Sequence, residues 1–204
     1  MQIIIIDLLI VAACLVGDLL TKAWAASALP LRGGYLVAIE DVLTFRYSEN
    51  TGAAFGIFED SRVFLSVFVG IVLLALLAYM TWTIVKKKYK EKGGVFFQVA
   101  LSLILAGGIG NLVDRIALGY VRDFIEYTFV YTLFKYNFAI CNLADVFLTI
   151  GVIMVIVYLI YSFVLEARKE KQEKALDEGG PSAPSKPLTP PSDEQGKKGD
   201  GEDE

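Results

Sequence analysis

Histidine is absent from the 204 residues, and cysteine is present only as Cys14 and Cys141. The first absence excludes every Ser–His–Asp triad, every Cys–His pair and every imidazole-ligated metal. The two thiols are far apart in sequence and show no metal-ligand spacing, so no metal and no cofactor is expected. A basic excess is lacking too, since the formal net charge is −4. Residues 166–204 hold seven basic and eleven acidic side chains, which accounts for all of it, and no nucleic-acid partner is implied. Chemistry in this chain is left to carboxylates, lysines and hydroxyls.

Apolar residue is what the chain has in excess. Hydrophobic residues make up 55% of it and the mean hydropathy is +0.54, well above what a soluble domain of this length needs. Four runs, at about 3–26, 63–85, 95–113 and 143–165, reach the roughly 20 helical residues that a bilayer core of about 30 Å requires. The sequence therefore predicts an all-α membrane protein of four transmembrane helices within residues 1–165. Lys86, Lys87, Lys88, Lys90 and Lys92 fill the link between the second and third runs, and Arg168, Lys169, Lys171 and Lys174 follow the fourth. The long links carry few basic residues: Arg32, Arg46 and Arg62 in the first, Arg122 and Lys135 in the second. This bias predicts cytoplasmic termini and two outer loops.

In the first outer loop, Leu43, Phe45 and Tyr47 alternate with Thr44, Arg46 and Ser48, a period of two that predicts a short half-buried strand after a turn at Gly33 and Gly34. The second outer loop carries Tyr127, Phe129, Tyr131, Phe134, Tyr136 and Phe138. Aromatics at this level anchor a protein at the membrane interface, with a direct grip on substrate as the alternative. From Glu166 the chain reads as a charged helical continuation, then turns rich in Pro, Gly, Ser and charge. Such a tail cannot bury a core and is expected to be disordered in the cytoplasm. The Val11-Ala-Ala-Cys14 stretch resembles a lipobox, but no basic residue precedes it and the apolar run continues past Cys14, which reads instead as a small packing residue.

Charged residues inside spanning helices are costly and default to a functional reading. With the predicted topology, Asp18 and Lys22 lie toward the outer end of the first helix, Asn111, Asp114 and Arg115 at the outer end of the third, and Asn142 and Asp145 at the start of the fourth. Asp123 follows Arg115 by eight residues, so all of them fall near one depth. Asp18 and Lys22 are spaced i,i+4 and can pair, either to orient the helix or to meet substrate. Asp7 shares that face and, near the cytoplasmic end, reads as structural. Arg115 can compensate a carboxylate, bind a substrate carbonyl or reach lipid phosphate. Asn142 fits an N-cap, which makes Asp145 the third helical residue, where a carboxylate is favoured. With no histidine available, Asp123 and Asp145 form the economical acid–base pair.

These residues occur within five stretches: Asp18-Leu-Leu-Thr-Lys22, Asn50-Thr-Gly52-Ala-Ala-Phe-Gly56, Gly107-Gly108-Ile-Gly-Asn111-Leu-Val-Asp114-Arg115, Val121-Arg-Asp123-Phe124 and Asn142-Leu-Ala-Asp145. In this order they resemble the signature of lipoprotein signal peptidase (signal peptidase II). The resemblance implies an inner-membrane aspartyl endopeptidase that cuts bacterial prolipoproteins on the amino side of a diacylglyceryl-modified cysteine, at the outer leaflet. It implies Asp123 and Asp145 as catalytic, with Asp18, Lys22, Asn50, Gly52, Gly108, Asn111, Asp114, Arg115 and Asn142 binding substrate or supporting the site. Membrane lipid and lipidated prolipoproteins are the implied partners. Cys141 stands where the family usually has Phe, and the tail beyond about Lys174 has no counterpart in its pattern. The sequence leaves open which aspartate is the base and which the acid.

Rival readings are weaker. Ser48 and Lys135 could serve a Ser–Lys protease, but no motif joins them. A presenilin-like Gly-x-Gly-Asp box fails because Asn111 follows Gly110. A transporter using intramembrane Asp and Lys predicts midplane carboxylates and repeated halves, and neither is present in the sequence.

Overall fold

A computed structural model describes residues 2–29, 34–52, 62–135 and 139–178. Among them the order is α1 (Gln2–Ala28), β1 (Tyr35–Ile39), β2 (Leu43–Asn50), α2 (Arg62–Val85), a 3-10 turn (Lys88–Lys90), α3 (Gly94–Leu118), β3 (Val121–Glu126), α4 (Thr128–Phe134) and α5 (Leu143–Glu178). Four segments are long and apolar enough to cross a membrane: Gln2–Ala28, Val63–Val85, Gly94–Leu118 and Leu143–Lys174. This is the predicted class, a helical membrane protein with a small β-region. Helix α3 is the axis of the bundle. Of its apolar window 56% is buried, against 17%, 6% and 11% for the spans of α1, α2 and α5. Its small residues Ala100 and Ala106 are buried where neighbouring helices approach closely.

Polar contacts tie α1 to α3 near the start of both. Asp7 is buried and accepts hydrogen bonds from Gln98 Nε2 (3.0 Å) and Ser102 Oγ (3.0 Å). Thr83 Oγ1 of α2 donates to Gln98 Oε1 (2.9 Å), so three helices share one clasp. In an apolar medium such groups must satisfy one another, which sets the register between helices.

The strands form one antiparallel sheet in the order β1-β2-β3. The strand predicted at 43–47 runs on to Asn50, because Ser48, Glu49 and Asn50 pair with Asp123, Arg122 and Val121. The stretch holding Asp123, read from sequence as outer loop, is the edge strand that provides this pairing. The sheet sits on the C-terminal end of α1, where Ala25, Leu29 and Phe124 are buried together and Trp24 meets Phe45 (5.6 Å) and Phe124 (6.3 Å) edge-on. Gly34 takes the predicted turn with φ +89°, a conformation natural to glycine; Gly33 lies outside the described residues. Helix α3 stops at Gly119, whose φ of +83° lets its N–H reach the Arg115 carbonyl, and β3 begins two residues later.

Residues 30–33 and 53–61 of the first long link, and Tyr136 and Phe138 of the second, lie outside the described residues. The chain divides after Phe163, and of the second unit only residues 164–178 are described. Its described part is the remainder of α5 to Glu178, as the charged continuation predicted, with a Lys174–Glu170 pair at 2.8 Å. The expectation of disorder falls mainly on residues 179–204, which are not described.

Candidate active site

The start of α5 is the nucleus of the site. The first four N–H groups of a helix lack intrahelical partners and need side chains. Asn142 Oδ1 accepts from Asp145 N (3.1 Å), while Asp145 Oδ2 accepts from Asn142 N (3.1 Å), a reciprocal capping box. Asp18 of α1 takes a third donor, the N–H of Ala144, at 2.9 Å. The predicted N-cap is thus extended by a carboxylate from another helix. Gly110 of α3 is required here, since a Cβ at that position would run into Asp18 Oδ2.

Asn142 connects the two candidate catalytic aspartates. Its Nδ2 donates to Asp123 Oδ1 (2.6 Å) and to Asn111 Oδ1 (3.1 Å). Asn111 Nδ2 donates to Asp145 Oδ1 (2.7 Å). The orientation of the Asn111 amide is determined by Lys22, whose Nζ donates to Asn111 Oδ1 (2.9 Å) and leaves the NH₂ facing Asp145. Lys22 also pairs with Asp18 (2.8 Å) and approaches Asp114 (3.7 Å), with its side chain fully buried. The i,i+4 pair expected from sequence is therefore the centre of a buried ion cluster.

Asp123 is held from two directions. Asp114, at the end of α3, accepts from Arg122 N (3.0 Å), Nε (3.1 Å) and NH2 (2.6 Å), a fork that pins the start of β3 one residue before Asp123. On β2, Asn50 sits diagonally across the sheet and its Nδ2 donates to Asp123 Oδ2 (3.0 Å). Gly52 N donates to Asn50 Oδ1 (3.3 Å), which turns the amide's NH₂ toward Asp123.

Asp123 and Asp145 both line a cavity of about 450 Å³ whose apolar wall includes Ile140, Val146 and Ile150. Burial pushes the Asp123 carboxyl up to about 6; the amide donors of Asn50 and Asn142 oppose the shift, and the Asp145 charge adds to it. Cys141 and Tyr127 form part of the same wall. Burial and the two carboxylates raise the Cys141 thiol to about 11, so it is neutral at pH 7. The Cys141 backbone pairs with Ile125, its carbonyl accepting from Phe124 N and Ile125 N, so it sets the spacing between β3 and the start of α5.

Two other site residues sit differently from the rest. The Arg115 side chain makes no hydrogen bond among the described residues; it is half-buried and faces the charges of Asp145, Asp123 and Asp114. Gly108 packs against Leu73 of α2, so its place is a helix contact.

Sequence reasoning missed Arg122 as the partner of Asp114, and it missed Gly110. Arg122 had one available signal, a basic residue beside a candidate catalytic Asp. Its partner could not be read, because the pairing depends on β3 folding back over the end of α3. Gln98 and Ser102 were likewise passed over, although a polar residue inside an apolar run is itself a signal.

A family model described as Signal peptidase (SPase) II matches residues 10–161. The chain belongs to the signal peptidase II family. The lipoprotein signal peptidase of Clostridium tetani is 39% identical over 163 residues, covering 80% of this chain and 97% of that protein. The lipoprotein signal peptidase of Staphylococcus carnosus is 39% identical over 167 residues, covering 81% and 94%. A solved bacterial membrane enzyme shares 34% identity at a TM-score of 0.63, covering 77% of this chain and 88% of its own. As a signal peptidase II family member, the chain is a peptidase, hence a hydrolase, and a multi-pass bacterial membrane protein.

Proposed function

We propose that this signal peptidase II homologue is an aspartyl endopeptidase that removes the signal peptide from prolipoproteins at the outer face of the membrane, on the amino side of a diacylglyceryl-modified cysteine. The observation that carries the reading is the joining of the two carboxylates through one residue, Asn142, whose Nδ2 donates to Asp123 and whose backbone N–H donates to Asp145, at a cavity with an apolar wall. A carboxylate dyad shares protons as a unit. We assign Asp145 the base role and Asp123 the acid role: Asp145 sits at a helix start with two N–H donors, and burial favours the protonated form of Asp123.

In the proposed reaction, Asp145 takes a proton from a water molecule as the water oxygen bonds to the scissile carbonyl carbon. Asp123 gives its proton to the developing oxyanion. Asp145 then passes its proton to the leaving amine as the C–N bond breaks, and the proton on the former carbonyl oxygen returns to Asp123 as the new carboxyl forms. The Arg115 guanidinium, without a hydrogen bond among the described residues, suits a backbone carbonyl of the substrate. The apolar wall suits the signal helix and acyl chains, which keeps the cut at the interface.

The direct test is cleavage by the purified, reconstituted chain of a prolipoprotein with and without the diacylglyceryl group. Cleavage before the cysteine of the lipidated form is expected; equal turnover of the unlipidated form would remove lipid from the recognition model. Because Asp123 must be protonated in its assigned role, kcat/KM is expected to fall as pH rises through about 6. The Asn50 hydrogen bond lowers the Asp123 value, so Asn50→Ala should move that alkaline limb upward. Movement of the acid limb instead would exchange the two roles.

The lysine-rich turn between α2 and α3 supports cytoplasmic termini and an outward-facing site. Reporters fused after Lys90 or Lys174 are expected to read cytoplasmic, and those in β1 or α4 external. An inverted pattern would put the site on the wrong face for an exported substrate.

A further inference from the structure

A second cavity, of about 270 Å³, lies at the opposite end of α3 from the aspartate pair. Its walls come from Tyr79 and Trp82 of α2, Phe97 of α3 and Tyr158 of α5, with Lys88 of the 3-10 turn at the rim. The rings are locked together: Tyr79 stacks on Trp82 (5.7 Å) and Phe97 on Tyr158 (4.5 Å). The floor is polar, made by Thr83 and Gln98, both at most 2% exposed. About 20 Å of helix separates Gln98 from Asn111 at a rise of about 1.5 Å per residue, so this cavity is no part of the candidate active site.

The turn at its rim is strongly cationic. Lys86, Lys87, Lys88, Lys90 and Lys92 are all exposed and Glu91 is the one acid among them. The turn is also held in place: a Cβ on Gly94 would run into the Lys88 carbonyl and the Tyr89 backbone. Lys88 Nζ lies 2.8 Å from Glu91 Oε1, whose carboxylate also lines the cavity, and the four other lysines leave the rim net cationic. Amphipathic rings around a small polar floor suit the glycerol region of a lipid, and a net cationic rim with Lys88 at the opening suits a phosphate. A cationic peptide segment would be repelled by the same lysines.

We propose that this cavity is a binding site for the headgroup of an anionic glycerophospholipid, with its phosphate on Lys88 and its glycerol and upper acyl region against Trp82 and Tyr79. The site is independent of the peptidase chemistry. It places lipid at the end of the bundle where Gln98 ties α3 to Asp7 of α1.

The chain contains two tryptophans, Trp24 and Trp82, so a Trp24→Phe background leaves Trp82 as the reporter. The full chain is reconstituted in bilayers containing either brominated phosphatidylglycerol or brominated phosphatidylcholine at equal mole fraction, and Trp82 quenching is compared. Stronger quenching by the phosphatidylglycerol is expected. Lys88→Glu should erase the excess, whereas Lys92→Glu, on the same turn but off the cavity wall, should retain most of it. Both lysines are exposed, and intact thermal unfolding of each variant verifies the fold. Equal quenching by the two lipids in the unsubstituted turn overturns the proposal. So does equal loss in the two variants, which would mean diffuse attraction to the whole lysine cluster.

Discussion

Asp123→Asn and Asp145→Asn are each expected to reduce cleavage of lipidated substrate below about a hundredth of the unsubstituted rate, given the roughly 10²–10⁴-fold attributed to acid–base catalysis. An amide cannot accept the water's proton or return one. Each Asn has one oxygen, so it keeps one of the two hydrogen bonds that now reach each carboxylate and sets its NH₂ against the other donor; the near-identical shape should leave expression and substrate binding little changed. Because the proposed dyad works as one unit, the double variant should be scarcely slower than either single one. Single-turnover cleavage by reconstituted protein, alongside substrate affinity, measures both. Independent, multiplying losses would break the dyad, and a folded single variant that cuts at more than a hundredth of the rate would remove that residue from catalysis.

Lys22→Met is expected to have the largest effect on stability. Its ammonium lies 2.8 Å from Asp18, 2.9 Å from Asn111 and 3.7 Å from Asp114, with no solvent exposure. Removing one partner of a buried pair leaves a charge unpaired in an apolar medium, at a cost of about 3–5 kcal/mol. Asp114 keeps Arg122, so the unpaired charge falls on Asp18. Asp18→Asn should cost less, because Lys22 keeps Asn111 and Asp114 and an amide oxygen can still accept from Ala144 N. The double variant Asp18→Asn/Lys22→Met should recover part of the Lys22→Met loss by removing that charge. Thermal unfolding in detergent and in lipid gives the comparison. A Lys22→Met protein that melts like the parent would show that this cluster does not hold α1, α3 and α5 together.

The residues of the candidate site were legible because membrane insertion makes sequence unusually informative. An apolar run of about 20 residues must be a helix, since only a helix satisfies its backbone without water. Once the spans are drawn, Asp18, Asp114 and Asp145 are brought near one level by helix length alone. The capping role of Asn142 was legible for the same local reason: a helix start needs donors satisfied, and the residues that do this sit next to it in sequence.

Other features belong to the tertiary structure. The Val121–Glu126 stretch does not alternate apolar and polar residues, and it is a strand because β2 supplies its hydrogen-bonding partner. The partner of Asp114 is Arg122, not the adjacent Arg115, because the α3–β3 reversal carries Arg122 back over the helix end. Asn142 reaches Asp123 only after β3 and the start of α5 are fixed by the Cys141–Ile125 pairing. Sequence alone determined the spans, the polar residues they carry and the end of each helix on which they lie, because burial in lipid and helical rise are local constraints. Tertiary structure decided which amide faces which carboxylate, since hydrogen-bond partners 19, 31 and 73 residues apart are selected by packing, which no local rule encodes.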